Sequence, residues 1–193
     1  MKKANIERKT KETSVKLELI LETESDSKID TGIAFFDHMI SHIAKHGNMQ
    51  INLKVQGDIQ VDFHHTVEDT GIVFGQAITD ALGDKKGINR YGSASIPMDE
   101  TLANVALDIS GRSVLVYNVI YTGEKIGEFN TELVKEFLRA FCQHAGLNLH
   151  VNVPYGENNH HIAEAIFKAL GKALKTAVSD SGLSGIPSTK GVL

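Results

Sequence analysis

The chain has 193 residues, 41% of them hydrophobic, with a formal net charge of −4 and a single cysteine. That is enough chain to bury roughly 70% of its unfolded surface, which excludes a mainly disordered state and allows one domain or two small lobes. The mild acidity and scattered basic residues leave no footprint for nucleic acid, no apolar run approaches the roughly 20 residues of a membrane span, and the opening Met1-Lys2-Lys3-Ala4-Asn5 lacks a signal-peptide core, so a cytoplasmic protein acting on a small molecule is expected.

After the polar stretch Arg8-Lys9-Thr10-Lys11-Glu12-Thr13, the alternation of Val15, Leu17, Leu19 and Leu21 with Lys16 and Glu18 predicts a strand. Ile33 to Gly47 predicts a helix closed by glycine, Met49 to Gln56 a strand, and His64 to Leu82 a second helix. The order then recurs. Strands are predicted over Leu102 to Asp108, Val114 to Tyr121 and Leu147 to Val153, and helices over Thr131 to Ala145 and His160 to Val178, followed by a glycine-rich loop over 182–191. Cys142 falls among Phe137, Leu138, Phe141 and Ala145 at helical spacing, which predicts a core thiol rather than a nucleophile.

With His64 answering to His160 and Gly47 to Gly146, the two halves read as an internal duplication. An α+β fold follows, each lobe laying its helices on one face of a sheet, with the first lobe over 1–92 and the second over 93–193.

The chemistry concentrates in His64-His65-Thr66-Val67-Glu68 and His160-His161-Ile162-Ala163-Glu164, each a histidine pair with a glutamate four residues after the first histidine. Random placement of 9 histidines in 193 residues gives roughly 0.4 adjacent pairs, so two pairs with the same glutamate offset are improbable as decoration. On a helix the first histidine and the glutamate share a face and can grip one ion, while the second histidine points about 100° away and serves another. Two metal ions shared between the copies are expected. The zinc-protease orders H-E-x-x-H and H-x-x-E-H do not fit.

Other candidates are less specific. His38 lies on the first predicted helix, with His42 and His46 further along the same stripe. Glu136 stands on the corresponding helix of the second half, as an oxygen ligand or as a solvated carboxylate paired with Lys135 or Arg139. Arg90 beside Gly92, Arg112 beside Gly111, and Ser188-Thr189-Lys190 beside Gly191 offer phosphate donors, or are ordinary surface cations. Asp99 and Glu100 suit acid/base work or binding of a substrate hydroxyl.

In order along the chain, Arg8-Lys9-Thr10-Lys11-Glu12-Thr13, Phe36-Asp37-His38-Met39, His64-His65-Thr66-Val67-Glu68-Asp69, Arg90-Tyr91-Gly92, Pro97-Met98-Asp99-Glu100-Thr101, Asp108-Ile109-Ser110-Gly111-Arg112, His160-His161-Ile162-Ala163-Glu164-Ala165 and Pro187-Ser188-Thr189-Lys190-Gly191 resemble imidazoleglycerol-phosphate dehydratases of histidine biosynthesis. The resemblance implies a duplicated fold similar to the second domain of ribosomal protein S5. It implies two manganese ions per site and a 24-subunit shell with sites between subunits. It would give His38, His65, His160 and Glu164 to one ion and His64, Glu68 and His161 to the other, with Glu136 the remaining candidate. It implies Arg90, Arg112, Lys168, Ser188, Thr189 and Lys190 as the phosphate site and Glu12 as the substrate-contacting acid and leading general base, with Asp99 second. The reaction would pass through an imidazolate and a diazafulvene-like species held by the metals. A metal-storage protein and a metal-dependent hydrolase are the rival readings, and the arginine and Ser-Thr-Lys motifs speak against the first.

Overall fold

The computed structural model describes residues 2–193 and builds them into two four-stranded sheets of matching topology. The first lobe runs β1 (Lys3–Lys9), β2 (Thr13–Leu21), β3 (Lys28–Asp30), α1 (Ala34–Gly47), β4 (Met49–Gly57) and α2 (His64–Leu82). The second runs β5 (Tyr91–Met98), β6 (Thr101–Asp108), β7 (Val114–Asn118), a small hairpin of β8 (Lys125–Ile126) and β9 (Phe129–Asn130), α3 (Glu132–Ala145), β10 (Asn148–Tyr155) and α4 (Asn159–Val178). The sheet orders are β1-β2-β4-β3 and β5-β6-β10-β7. In each, the first three strands are antiparallel and the last pairs parallel, so the lobes repeat strand by strand.

Inward-facing Val15, Leu17, Leu19 and Leu21 of β2 are buried, while Lys16 and Glu18 on the other face are exposed, as strand alternation requires when one face carries helices. The helix-bearing faces of the two sheets meet, α2 packing on α3 and α1 on α4. Phe137 of α3 sits at this seam, its ring 5.5 Å from Phe36 of α1, 6.4 Å from Phe74 of α2 and 5.5 Å from Phe167 of α4. Aromatic contact at these spacings fixes the helices against one another, and with them the side chains they carry. Gly75 and Gly171, one in each lobe's second helix, allow close approach: a Cβ on Gly75 would stand 2.7 Å from the Phe141 carbonyl, and one on Gly171 3.0 Å from that of Ile43.

Several elements differ from the sequence expectation. The polar segment read as preceding the first strand contributes Arg8 and Lys9 to β1, a strand whose inward positions Ala4, Ile6 and Arg8 are too mixed to show an alternation. β5 was equally hidden. Its inward residues include Gly92 and Ala94, kept small because α4 crosses directly over them; a Cβ on Gly92 would overlap the Ala173 carbonyl oxygen. β7 ends at Asn118 rather than Tyr121, and Tyr117 and Tyr121 bring their hydroxyls to 3.2 Å instead. The match of Gly47 with Gly146 is also off by one. The left-handed helix caps are Asn48 (φ 53°) and Gly146 (φ 60°), so Asn48 is the true counterpart.

Gly92→Ala is expected to destabilise the fold by about 1–3 kcal/mol through overpacking against α4. Thermal unfolding would read this as a melting point lower by roughly 2–4 °C per kcal/mol. An unchanged melting point would mean that β5 and α4 separate easily.

Candidate metal centre

Both histidine pairs open a helix, and both helix starts are held by local polar contacts. Asp62 accepts a hydrogen bond from the His64 backbone N–H at 2.7 Å, and the Asn158 side chain accepts from the backbone N–H groups of His160 and His161. Asn158 is an N-cap, whereas Asp62 precedes the cap residue Phe63; both satisfy donors that the helix cannot. The preceding strands end at Gly57 and just before Gly156; a side chain on Gly57 would overlap Thr66, and one on Gly156 would come within 2.6 Å of Thr101. The glycines thus let each helix begin directly beneath its sheet.

Within each pair the two rings stand nearly perpendicular, at 85° for His64 and His65 and 81° for His160 and His161. They consequently face different surroundings. His160 joins His38 of α1 and Glu164 one turn along α4: Glu164 Oε2 lies 3.0 Å from His160 Nε2 and 3.2 Å from His38 Nε2. One donor atom from each of these three side chains lies within 4.8 Å of the others, a group able to hold a divalent ion. His42 stands behind it, with Nε2 3.2 Å from His38 Nε2 and 3.5 Å from Glu164 Oε2.

Glu164 is the electrostatic centre of the group. Burial alone would raise its carboxyl, but the Lys168 ammonium at 2.6 Å and the surrounding histidines outweigh that and hold it down to about 2. Burial lowers the His42 ring to about 4 against the pull of Glu164. At neutral pH the site thus presents a carboxylate and an uncharged imidazole, both competent donors.

The other copy is looser. His64 Nε2 lies 3.9 Å from Glu68 Oε2. Glu136 on α3 touches the Arg139 guanidinium, yet its buried Oε2 has no aligned hydrogen-bond partner. That oxygen already faces a cation, so a metal ion there would have to displace the Arg139 guanidinium.

The second histidine of each pair meets two carboxylates. His65 has Nδ1 3.1 Å from Asp58 and Nε2 3.8 Å from Glu12; His161 has Nδ1 2.7 Å from Glu100 and Nε2 3.7 Å from Asp99. Hydrogen bonds to Asp58 and to Glu100 raise the two rings above their ordinary value. Glu100 itself is held well below the usual carboxylate range, first by the Asn158 backbone N–H and then by His161. Glu12 sits in the β1–β2 turn. That hairpin is tied to α2 by Thr13 and Arg8, which both reach Asp69, and its Glu12 carbonyl accepts from the Asp58 N–H.

Residues 31–174 match the family model described as imidazoleglycerol-phosphate dehydratase. The chain belongs to the imidazoleglycerol-phosphate dehydratase family. A relative from Alkaliphilus metalliredigens bearing that name is 55% identical over 97% of this chain and 96% of its own length. One from Geobacter sulfurreducens is 55% identical over 100% and 99%. The crystal structure of the dehydratase from Staphylococcus aureus superposes with a TM-score of 0.84 at 41% identity, covering 92% of this chain and 98% of that one. That from Pyrococcus furiosus gives 0.84 at 32% identity, covering 97% and 100%.

The phosphate candidates of this dehydratase-family chain divide between two places. Arg90 grips Asp108 through Nε at 2.6 Å and reaches the Pro187 carbonyl at 2.8 Å, so it braces the loop carrying Ser188, Thr189 and Lys190. A Cβ on Gly111, the neighbour of Arg112, would lie 3.0 Å from the backbone of Leu193. Lys168 instead lies with Glu164 in the metal group. Sequence reasoning missed Asp58 as a partner of His65 and did not separate Glu100 from Asp99. The signal for Asp58 was weak, a carboxylate after a glycine, whereas the adjacency of Asp99 and Glu100 hid two different tasks.

Proposed function

We propose that the protein removes water from D-erythro-imidazoleglycerol phosphate to give imidazoleacetol phosphate, a step of histidine biosynthesis. The observation that carries this reading is the convergence of His38, His160 and Glu164 in a chain that matches named dehydratases over its whole length. Two manganese ions would draw on His38, His160 and Glu164 for the first, the group that the described residues bring within 4.8 Å, and on the more widely spread His64, Glu68 and Glu136 for the second. Glu136 would exchange its Arg139 partner for the second ion. His65 and His161 are turned toward other carboxylates, which supports their serving ions in sites completed by further copies in a homo-oligomer, up to the 24-subunit shell that the resemblance implies.

When bound, the ions supply Lewis acidity toward the substrate's imidazole nitrogens. The rest falls to side chains. A proton must leave a weakly acidic carbon while hydroxide departs from its neighbour, and the resulting enol ketonises. Glu12, largely exposed on its turn and facing His65, is the base that takes the carbon proton; Asp99, facing His161, is second in line. Asp58 and Glu100 accept from the Nδ1–H groups of His65 and His161, which in the neutral rings leaves Nε2 as the lone-pair nitrogen. Arg90, Arg112, Ser188, Thr189 and Lys190 bind the phosphate, with Lys168 joining them from the metal side.

Manganese-loaded protein mixed with imidazoleglycerol phosphate should form the ketone at a rate proportional to metal content. Metal-loaded protein with no turnover would favour storage, and ester or amide cleavage would favour a hydrolase. Arg112→Ala and Lys190→Ala should each weaken substrate binding by about 1.5–3 kcal/mol, tenfold or more in KM, at unchanged metal content. Unaltered KM in both would remove them from the phosphate site.

A further inference from the structure

The two lobes differ at two matched positions of the metal group. Counting back from the matching caps Asn48 and Gly146, Glu136 takes the place of His38, and Ala140 takes the place of His42. His42 is therefore a nitrogen donor without a counterpart. The second lobe has no room for one. Ala140 packs on α2, where a Cβ on Gly71 would already stand 3.0 Å from the Ala140 methyl.

Around an ion with bonds of about 2.2 Å, adjacent corners of an octahedron lie about 3.1 Å apart. His42 Nε2 is 3.2 Å from His38 Nε2 and 3.5 Å from Glu164 Oε2, while Glu164 Oε2 is 3.2 Å from His38 and 3.0 Å from His160. These four separations suit neighbouring corners, whereas His42 falls outside the set of donors that all lie within 4.8 Å of one another, so its ring would move toward His160 when the ion binds. His42 is also the buried wall of the group, its side chain 15% exposed against 45% for His38 and 42% for His160. His46 continues the stripe, its ring 6.0 Å from that of His42, but it lines the open cleft with Lys45 and Lys172.

We propose that His42 is a fourth protein donor to the first ion, so that one chain holds this ion with four side chains and the second ion with at most three. The inference rests on the two-manganese reading above. Its consequence is unequal affinity. The first site fills at lower manganese concentration than the second, and the difference resides in His42.

The test is a titration of the metal-free full-length protein with manganese, free ion being read by electron paramagnetic resonance. Spin-echo modulation at one equivalent counts the bound imidazole nitrogens. The expected result is two classes of site in the wild type, with the tighter class weakened about 10–100-fold in both His42→Ala and His42→Gln and showing one nitrogen fewer. Two equal classes in the wild type, or a tight class and nitrogen count unchanged in both variants, would overturn the role of His42. A wild type binding fewer than two ions per chain would instead overturn the two-manganese reading.

Discussion

Glu164→Ala is expected to abolish dehydration, lowering kcat by about 10³-fold or more, because it removes a carboxylate whose Oε2 faces three histidines and whose Oε1 faces a lysine. Without it, Lys168 faces the three rings with no anion between them, and the group loses both its negative charge and one ligand. Manganese content should drop by one ion per chain. Glu164→Gln, which keeps the shape, separates loss of charge from loss of packing: it should retain the fold by circular dichroism while still losing the metal. Full metal content together with normal turnover in Glu164→Ala would remove the residue from the site.

Glu12→Gln carries the second large effect. The amide keeps the size and most of the hydrogen-bonding capacity of the carboxylate but cannot take a proton, so kcat should fall by about 10²–10⁴-fold while affinity for an unreactive substrate analogue changes little. The turn that bears Glu12 is anchored through Thr13, Arg8 and Asp69, so the substitution should leave the backbone in place. Steady-state kinetics and analogue binding, measured on the same preparation, read the two effects separately. Near-normal kcat would pass the role of base to Asp99.

The chemistry was more legible in the sequence than the sheets that support it. Histidine pairs with a glutamate at helical spacing express a geometric demand directly, and the helix starts fall where those pairs begin. The four helices were readable from their apolar residues at helical spacing, although α2 and α4 are buried around most of their circumference. β1 and β5 were not, because one is a mixed polar edge strand and the other is kept small by a helix crossing it. The same limit applies inside the site. Glu100 and Asp58 act through partners on other elements, and His42 becomes notable only when α1 is placed against α4. Counting from Gly47 rather than Asn48 hid the match of His38 with Glu136, since glycine is the usual left-handed cap and asparagine the less common one.

Anomalous scattering from crystals grown with manganese tests the account most directly. Two strong peaks per chain are predicted, one touching His38, His160 and Glu164, the other His64, Glu68 and Glu136, each with at least one further histidine arriving from a neighbouring copy. A single peak, or peaks away from both histidine motifs, would contradict the account.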